Sequence, residues 1–442
     1  MAKYEVYAEY KDSGVEWLGK IPSSWQVKKL KYLSKVTTGS KDTVNAVEDG
    51  KYPFFVRSQT VERINSIGAD CEAVLTAGDG VGVGKVYHYY KGKFDFHQRV
   101  YMLYDFGAVT GRFVYYYLSS NFYKVALEGN AKSTVDSLRL PQFLNFEFSV
   151  PTVAEQNYIV DFLDYETAKI DSLIEKQQQL IELLKEKRQA VISHAVTKGL
   201  DPNVPMKDSG VEWLGNVPEH WEISRLKHIL DMPMRNGLFK KKDQFGSGSL
   251  LVNVTDLFVE NNFINTDNLE SVQTTFDERK AYKVNYGDLF FVRSSLKLEG
   301  IGRSACFLSY HDNAVFECHV VNARPNVKKI SPKYLTRYLN SIAVIQEYIR
   351  RSKTTTMTTI DQNGISSINI VVPPKVEQIN IDNYLDNQLE IFSDGEKKAK
   401  AIIDLLIERR TALISAAVTG KIDVRNWQNP NKNNKGNMEL SA

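Results

Sequence analysis

A nine-residue segment occurs twice in this sequence, letter for letter, as Lys11–Gly19 and again as Lys207–Gly215. A second motif also occurs twice: Val-Pro is followed, after three intervening residues, by Glu-Gln in Val150–Gln156 and in Val372–Gln378. Internal repeats constrain a fold more than single motifs do, because each copy is expected to form the same local structure. The sequence therefore contains one constant frame, used twice.

Two long stretches, 34–149 and 230–371, lie inside the two copies of the frame and scarcely resemble each other. Each mixes short apolar runs with turn residues, and each predicts an α+β domain. The runs behind this prediction are, for strands, Tyr52–Arg57, Arg99–Tyr104 and Asp288–Arg293, and, for helices, Phe113–Leu118 and Tyr334–Leu339. A constant frame around two unlike inserts indicates a scaffold that holds two different recognition modules.

Each insert is followed by a stretch that predicts one long helix. The first, 152–197, contains neither Pro nor Gly, and apolar side chains recur every seven residues in both stretches. The heptad positions are Leu163, Ile170, Gln177, Leu184 and Val191 in the first stretch, and Leu385, Phe392, Ala399, Leu406 and Leu413 in the second. This spacing predicts an antiparallel coiled coil with the inserts at opposite ends and a pseudo-twofold relation between the halves. Gly395 predicts a bend or break in the second helix.

The predicted fold class is thus α+β, with two globular α/β-type recognition domains joined by two long antiparallel coiled-coil helices. Trp17 and Trp25, with Gly and Pro between them, predict a packed N-terminal clasp of structural rather than ligand-binding character. The predicted divisions are 1–150 for the first recognition domain with its clasp, 151–199 for the first spacer helix, 200–372 for the second recognition domain, 373–421 for the second spacer helix, and 422–442 for a polar, frayed C-terminal tail.

Composition narrows the class of protein. The net charge of +3 and pI near 8.4 permit a polyanionic partner without demanding one, so any positive charge for DNA has to be local or supplied by a partner. The sequence shows no apolar run of membrane-spanning length and no signal-peptide core near Met1, which predicts a cytoplasmic protein without a membrane partner. Cys71, Cys306 and Cys318 form no CxxC pair, so we expect no disulfide framework and no zinc site.

No catalytic constellation is visible. Gly78–Lys85 is rich in glycine, but its spacing fails the phosphate-loop pattern and predicts a glycine turn between strands. Val371–Pro374 resembles the proline pair of adenine methyltransferases only superficially. His311, His319 and Cys318 offer no four-ligand spacing for a metal. We therefore expect neither a catalytic residue nor a metal site.

Several polar and basic segments suit contacts with DNA. Arg57-Ser58 and Arg293-Ser294 are both predicted to end an apolar strand at the same place in the two inserts, and Arg is both the commonest bidentate reader of guanine and a common phosphate ligand. Lys and small hydroxyl residues precede the last strand of each insert. The predicted DNA-binding residues are Arg57, Ser58, Lys85, Arg99, Lys132, Ser133 and Thr134 in the first insert, and Arg293, Ser294, Arg303, Arg351, Lys353, Thr354, Thr355, Thr356 and Thr358 in the second.

The arrangement of these motifs resembles the specificity (S) subunits of type I restriction–modification enzymes. The resemblance rests on three repeated elements: the head Ser13–Trp25 with its copy 209–221, the Val-Pro…Glu-Gln starts of the two predicted helices, and the helix ends Arg188–Thr197 and Arg410–Thr419. Together these motifs bracket nearly the whole chain. They follow the family's plan of constant and variable regions in alternation.

The resemblance implies a non-catalytic subunit that directs a complex. Each insert would be a target recognition domain that reads one half of a bipartite, asymmetric site in double-stranded DNA. The helices would set the spacer and dock two methyltransferase (M) subunits, which bind S-adenosylmethionine and methylate adenine N6 after flipping the base. Two restriction (R) subunits would add ATP- and Mg-dependent cleavage, and the chain itself would bind no cofactor. The predicted M-docking residues are Leu163, Ile170, Leu184, Leu385, Phe392 and Leu406.

Three other classes of function are compatible with the residues alone. They are a tandem nucleic-acid-binding regulator that acts by itself, an enzyme whose site is not visible in one sequence, and a scaffold that recognises protein. A neighbouring gene with an adenine methyltransferase pattern favours the S subunit. Tight sequence-specific binding by the isolated chain favours the regulator.

Overall fold

The chain forms two compact units, one made of Met1–Gln178 with Lys400–Ala442 and the other of Gln179–Ala399. The boundary between the units falls inside both long helices, so each helix contributes residues to both units. This division differs from the predicted one, which assigned the helices to separate spacer segments. The structure, a computed structural model, describes residues 4–126, 138–354 and 357–430.

The first unit is built around a mixed sheet. The elements from residue 10 to residue 198 are the strands β1 (Tyr10–Asp12), β2 (Lys20–Pro22), β3 (Gln26–Lys29), β4 (Lys35–Thr38), β5 (Tyr52–Phe55), β6 (Glu62–Ile64), β7 (Ala69–Ala77), β8 (Tyr87–Phe96), β9 (Val100–Tyr104) and β10 (Glu147–Val150), and the helices α1 (Gly111–Asn121), α2 (Tyr123–Ala126), α3 (Leu140–Leu144) and α4 (Val153–Lys198). Six strands form the sheet in the order β4-β9-β7-β8-β5-β6, with β5 parallel to β8 and the other neighbours antiparallel. Strand β3 pairs with β10.

The core of the first unit lies between this sheet, α1 and the start of α4. The hydroxyl of Thr110 caps α1 by accepting from the N–H of Phe113, so the helix begins where the sequence supplies a capping side chain. Tyr117 of α1 stacks on Phe148 with a 4.3 Å centroid separation, and both rings are fully buried. Burial of each such ring contributes about 1.5–3 kcal/mol. The predicted strands and helix of the first insert are confirmed by β5, β9 and α1.

The second unit has smaller sheets around a similar core. Its elements are the strands β11 (Met206–Asp208), β12 (Asn216–Pro218), β13 (Glu222–Arg225), β14 (Arg235–Asn236), β15 (Phe245–Val252), β16 (Glu270–Val272), β17 (Leu289–Val292), β18 (Ser294–Ser295), β19 (Ser304–Cys306), β20 (Ala314–Phe316), β21 (Val320–Ala323), β22 (Lys353–Thr354), β23 (Thr358–Thr359) and β24 (Asn369–Val372), and the helices α5 (Phe276–Ala281), α6 (Pro332–Leu339), α7 (Ile342–Arg351), α8 (Gln362–Ser366) and α9 (Lys375–Val418). The larger sheets run β14-β21-β17-β19, β16-β15-β20 and β18-β23-β22. Strand β13 pairs with β24. Strand β17 and helix α6 confirm the two predictions made for this insert.

The repeated frame closes each unit in the same way. In the first unit the indole Nε1 of fully buried Trp25 donates to Glu155 Oε1 at 3.1 Å. In the second unit Nε1 of buried Trp221 donates to Glu377 Oε2 at 2.9 Å. Each bond joins the head of a unit to the first turn of a long helix. The prediction of a structural clasp is therefore confirmed for these two tryptophans. Trp and Glu recur together in the sequence because they form the same hydrogen bond in both units.

The glutamine of the repeated Glu-Gln pair has an equally specific role. Gln156 is fully buried; its Oε1 accepts from Thr110 N–H at 2.8 Å, and its Nε2 donates to the carbonyls of Ala108 and Pro151. Buried Gln378 repeats the pattern in the second unit, with Ser331 N–H, the Lys329 carbonyl and the Pro373 carbonyl as partners. Buried backbone groups need such partners, so this side chain fixes the insert to the start of the helix.

Both long helices are continuous. Gly395 lies inside α9 without a break, so of the bend or break predicted at this residue the break is wrong. A Cβ at Gly395 would lie 3.3 Å from Leu184 Cδ1, which shows that the glycine permits a close approach of α4 and α9 within the second unit. Among the residues that the structure describes, no helix has an apolar stretch long enough to cross a bilayer.

The segment after α9 is packed rather than frayed in its first part. Ile422 and Val424 are each 2% exposed in the core of the first unit, and Asp423 forms a β-bridge with Glu5. The predicted frayed tail is therefore wrong for these residues, because alternate side chains of a polar-looking segment are apolar and buried. Residues 431–442 lie outside the described part of the chain.

Candidate nucleic-acid interface

Three loops of the first unit meet at one carboxylate. Arg57 follows β5, Asp79 follows β7, and Arg99 precedes β9. Arg57 NH1 lies 2.7 Å from Asp79 Oδ1, and Arg99 NH1 lies 2.8 Å from Asp79 Oδ2. Ser58 and Lys85, both exposed, lie on the same loops. These residues are called the Arg57 cluster below: Arg57, Ser58, Asp79, Lys85 and Arg99.

The Arg57 cluster is electrostatically well defined. Partial desolvation raises the pKa of the Asp79 carboxyl, but hydrogen bonds and charge from Arg57 and Arg99 outweigh it and hold that pKa below its usual value. Asp79 is therefore an anion at neutral pH. Buried His97 lies beside the cluster and its Nδ1 accepts from Arg99 N–H at 2.9 Å. Desolvation, followed by the nearby Arg57 charge, lowers the pKa of His97, which favours the neutral imidazole.

The glycine-rich segment is the turn that carries Asp79. Gly80–Gly82 form a 3-10 turn between β7 and β8, which confirms the predicted glycine turn. A Cβ at Gly82 would lie only 2.5 Å from the Arg57 carbonyl oxygen, so a side chain there would push the two loops apart. The glycines thus permit the approach of Arg57 to Asp79 instead of forming a phosphate loop.

In the second unit the predicted residues gather on a small sheet. Strand β23 pairs with both β18 and β22. Thr359 of β23 therefore lies between Ser294 of β18 and Lys353 of β22. The Arg293 carbonyl accepts from Ile360 N–H at 2.9 Å. Arg293 and Ser294 are half-buried, and Lys353 and Thr354 are exposed. These residues are called the Arg293 cluster below: Arg293, Ser294, Lys353 and Thr354.

The prediction that Arg57 and Arg293 occupy the same place is wrong. Arg57 follows β5, which is parallel to β8, whereas Arg293 follows β17, which lies between two antiparallel neighbours. The backbone identifies Gly78 as the counterpart of Arg293, because each carbonyl accepts a hydrogen bond from the chain that returns toward the last strand of its insert, from Leu138 N–H in one unit and from Ile360 N–H in the other. The two arginines reach their clusters from different strands.

Lys85 and Arg303 are equivalent in position but not in environment. Each follows a glycine with φ of +69°, Gly84 or Gly302, after a 3-10 turn. Lys85 is exposed, whereas the Arg303 guanidinium lies over the Phe258 ring at 5.3 Å and donates to the Val259 carbonyl. Burial lowers the pKa of Arg303.

Two predicted DNA-binding residues are engaged within the chain. Arg351 Nε donates to Glu347 Oε1 at 2.7 Å and its NH1 donates to Ser367 Oγ at 2.9 Å, so its guanidinium links α7 to the end of α8. Thr358 is 3% exposed, with its hydroxyl 3.1 Å from that of Thr354. Burial removes Thr358 from the predicted DNA-binding surface, which corrects that assignment. The assignment of Arg351 to DNA stays a prediction, because its ion pair leaves part of the side chain exposed. The predicted residues Lys132, Ser133, Thr134, Thr355 and Thr356 lie outside the described residues.

The predicted M-docking residues face the chain's own cores. Leu163 and Leu385 are fully buried, and Ile170 and Phe392 are 4% and 8% exposed. Leu184 and Leu406 are half-buried, the first against Gly395 and the second against the core of the first unit. An apolar heptad seam buried in this way is not available to a partner, so the docking assignment of the four buried residues is corrected.

Three neighbouring side chains in the second unit bring possible metal ligands together. Ligand atoms of Glu317, Cys318 and His319 lie within 4.8 Å of one another. The Glu317 carboxylate already accepts from Cys318 Sγ at 3.1 Å and from His319 N–H at 2.8 Å. Desolvation and then Glu317 raise the pKa of the Cys318 thiol to about 11, so the thiol is protonated at neutral pH. These contacts describe a local hydrogen-bonded turn.

Comparison with known proteins identifies the class to which this architecture belongs. The family model of the type I restriction modification DNA specificity domain matches residues 22–183 and 218–403. The chain is 22% identical over 454 residues to the EcoKI specificity subunit of Escherichia coli K12, covering 93% of this chain and 92% of that protein. It is 31% identical over 229 residues to the EcoDI specificity subunit of Escherichia coli, but that match spans only half of the EcoDI protein and 48% of this chain.

Solved structures support the same fold. A chain from a study of complex assembly and conformational transition of the type I R-M system superposes with a TM-score of 0.65 at 12% identity, over 90% of this chain and 98% of that one. The HsdS subunit from Thermoanaerobacter tengcongensis superposes with a TM-score of 0.50 at 13% identity, over 91% and 98%. Because the family model covers most of the sequence, the chain belongs to the type I restriction–modification DNA specificity family.

Proposed function

We propose that this chain is the specificity subunit of a type I restriction–modification enzyme. Each unit reads one half of a bipartite site in double-stranded DNA, and the two halves differ because the two inserts differ. The observation that carries the proposal is the convergence of separate, unlike loops into one basic, partly exposed cluster in each unit: the Arg57 cluster and the Arg293 cluster. Family membership supports the same reading.

Both clusters have the chemistry that DNA recognition requires. Arg guanidiniums read guanine edges or bind phosphates, while exposed Lys and Thr side chains suit phosphate oxygens. Arg57 and Arg99 retain exposed guanidinium surface, with side-chain exposures of 38% and 58%. The net charge of the whole chain is only +3, so these local clusters, together with partner subunits, supply the positive field.

The proposed complex performs its chemistry in other subunits. This chain carries no catalytic residue in the proposal and binds no cofactor or metal. Two M subunits supply S-adenosylmethionine and methylate adenine N6, and two R subunits add ATP- and Mg-dependent cleavage. The division of labour follows the resemblance to the family, and it leaves to this chain the recognition of sequence and the positioning of its partners.

The proposed docking surface for the M subunits consists of exposed apolar residues on the long helices. In the second unit Leu180, Leu183 and Ile391 are 43%, 60% and 62% exposed. In the first unit Ile402 and Leu405, which occupy the repeat-equivalent places of Leu180 and Leu183, are 43% and 64% exposed. In each unit these exposed residues replace the buried seam residues as the proposed contact, because burying exposed aliphatic surface favours association.

The proposed function is tested by methylome mapping. The chain is co-expressed with its cognate M subunit in cells that lack other adenine methylation, and N6-methyladenine is mapped across the genome. We expect one motif with two unlike specified halves and an unread gap of fixed length. A symmetric motif contradicts the two-reader model, and the absence of any chain-dependent motif contradicts the proposed function. The purified chain alone is expected to show no methyl transfer.

We expect Arg57→Ala and Arg293→Ala to act on different halves of the site. Each variant removes one guanidinium from one unit, so loss of a base contact costs about 1–3 kcal/mol and relaxes specificity in one half only. Loss of a phosphate contact instead weakens binding evenly and reduces the salt slope by about one. The measurement is binding of the M-containing complex to DNAs altered in one half at a time. Lys35→Ala, at an exposed ion pair with Asp105, is the control. A normal result for both arginine variants contradicts their assignment to DNA.

A further inference from the structure

Asp79 uses both of its carboxylate oxygens on the two arginines of the Arg57 cluster. Oδ1 accepts from Arg57 and Oδ2 accepts from Arg99, each through NH1. The Asp79 side chain is 19% exposed, less than either guanidinium. The carboxylate is therefore the least exposed of the three groups, and it accepts one hydrogen bond from each guanidinium.

The arginines remain able to bind a ligand while Asp79 holds them. A guanidinium has five N–H donors in a fixed planar fork. In the part of the chain that the structure describes, neither the Arg57 nor the Arg99 guanidinium donates to any group except Asp79. Most of the donors on both side chains are therefore free. Two long side chains that are flexible in isolation are thus fixed in orientation before a ligand arrives, which reduces the entropy lost on binding.

The carboxylate is not needed for the turn in which it lies. Asp79 is the N-cap residue of the 3-10 turn Gly80–Gly82, but its side chain makes no capping hydrogen bond. Its backbone is extended, with φ −150° and ψ 169°, a conformation open to any residue. The Asp79 side chain therefore does not stabilise its own loop. Its hydrogen bonds go to Arg57 and Arg99.

At the equivalent strand end, the described residues of the second unit contain no such clamp. Ser294 holds the place of Asp79 after the central strand, because Val292 pairs with Val320 as Ala77 pairs with Val100. Within the described residues, neither Arg293 nor the half-buried Arg303 of this unit forms an ion pair with a carboxylate. Elsewhere in the second unit Glu347 pairs with Arg350 and Arg351, but on helix α7 and not at a strand end. A carboxylate that holds two arginines at the end of the central strand is therefore found in the first unit and is not part of the shared frame.

We propose that Asp79 is a specificity-determining positioning residue of the first unit. It fixes the distance and orientation between Arg57 and Arg99, so that both guanidiniums fit one arrangement of acceptor atoms on DNA. Its negative charge also reduces the cluster's attraction for phosphates of any sequence. The inference rests on the proposed function, since it assumes that the Arg57 cluster contacts DNA.

The test uses the full chain in its complex with M subunits and S-adenosylmethionine. Asp79→Asn and Asp79→Ser are compared with the unchanged chain for binding to the cognate site, to DNAs altered in one half, and to unrelated DNA at several salt concentrations. We expect both variants to lose about tenfold discrimination in one half-site only, a magnitude within the range for one base contact. Binding to unrelated DNA is expected to strengthen, with a salt slope steeper by about one.

Asp105→Asn is the matched control, because it removes one carboxylate from the other end of β9, where Asp105 pairs with exposed Lys35. A double-variant comparison separates positioning from general charge. If Asp79 acts through Arg57, Asp79→Ser has a much smaller effect on half-site discrimination in a chain that already carries Arg57→Ala. Thermal unfolding of each variant shows whether the fold is retained.

Three results overturn the inference. One is that the Asp79 variants discriminate between the cognate site and DNAs altered in one half as well as Asp105→Asn does. Another is an equal change in both half-sites. The third is an undiminished Asp79→Ser effect in the Arg57→Ala background. Each of these presupposes that the unchanged complex methylates a specific site. Failure of the unchanged complex to do so contradicts the proposed function instead, so the two failures are distinguishable.

Discussion

Replacing Arg337 with alanine is expected to destabilise the second unit by about 3–5 kcal/mol, the range for breaking a buried ion pair by removing one partner. Arg337 is 3% exposed and joins α6 to α9: its NH1 donates to the Asp382 carbonyl at 2.7 Å and to Asp382 Oδ1 at 3.1 Å, and its NH2 pairs with Asp386. The variant leaves the buried Asp382 carboxylate without its cation. Urea-induced unfolding measures the loss.

The loss is expected to depend on pH. Burial raises the pKa of Asp382, and removal of Arg337 raises it further because the nearby positive charge is gone. A carboxyl whose pKa is higher in the folded than in the unfolded state penalises folding at high pH, and the penalty disappears as pH falls below the unfolded pKa. The destabilisation by Arg337→Ala should therefore shrink on acidification.

Two further variants check this explanation. Lys398→Ala removes a cation from an exposed pair with Asp394 on the same helix and should leave unfolding unchanged. Arg337→Met combined with Asp382→Leu removes both charges, and it should cost much less than Arg337→Ala alone. An equal cost for the single and double variants argues that lost packing, not an uncompensated charge, causes the destabilisation.

Shortening both long helices by one heptad is expected to change the unread gap of the DNA site while both halves are retained. Deletion of 171–177 from α4 together with 393–399 from α9 removes about 10 Å of helix at 1.5 Å per residue, keeps the apolar seam in register and leaves the proposed docking residues in place. If the helices set the spacer, the gap changes by a base pair or more. Methylation of the original site should be lost, and methylome mapping should reveal the altered motif.

A matched variant keeps the helix lengths and replaces exposed residues in the same windows, such as Glu175→Gln and Lys397→Gln. It should methylate the original site. An unchanged gap after the deletions contradicts the role of the helices as a ruler. Altered half-sites would mean that the helices take part in base reading.

Local sequence patterns predicted the long elements well and the sheet positions poorly. The continuous helices α4 and α9 follow from a seven-residue apolar period sustained over many turns, a signal that is written in neighbouring residues. Phe54–Ser58 and Phe290–Ser294 have identical letters, Phe-Phe-Val-Arg-Ser, and both do form strands. Yet β5 pairs with a parallel neighbour and β17 with antiparallel ones, because strand partners come from distant segments that local letters do not specify.

The candidate site shows the same division. Asp79 was predicted only as part of a glycine turn, and its role depends on the meeting of three loops that are far apart in sequence. Arg351 was assigned to DNA from its charge, although Glu347 lies four residues before it, and that spacing favours an ion pair on one helix face. Helical spacing alone would have predicted the ion pair between Glu347 and Arg351. Nothing in the residues next to Asp79 predicts its contacts with Arg57 and Arg99.

The pairing of β3 with β10, and of β13 with β24, has a consequence for how such chains diversify. Each insert leaves the frame from one strand and rejoins it on the adjacent antiparallel strand, so its two ends are fixed side by side. A whole insert is therefore a segment with fixed attachment points on the frame. A different insert needs to match only the spacing of two neighbouring strands. Recombination at these borders would exchange one whole insert in a single event and leave both long helices unaltered.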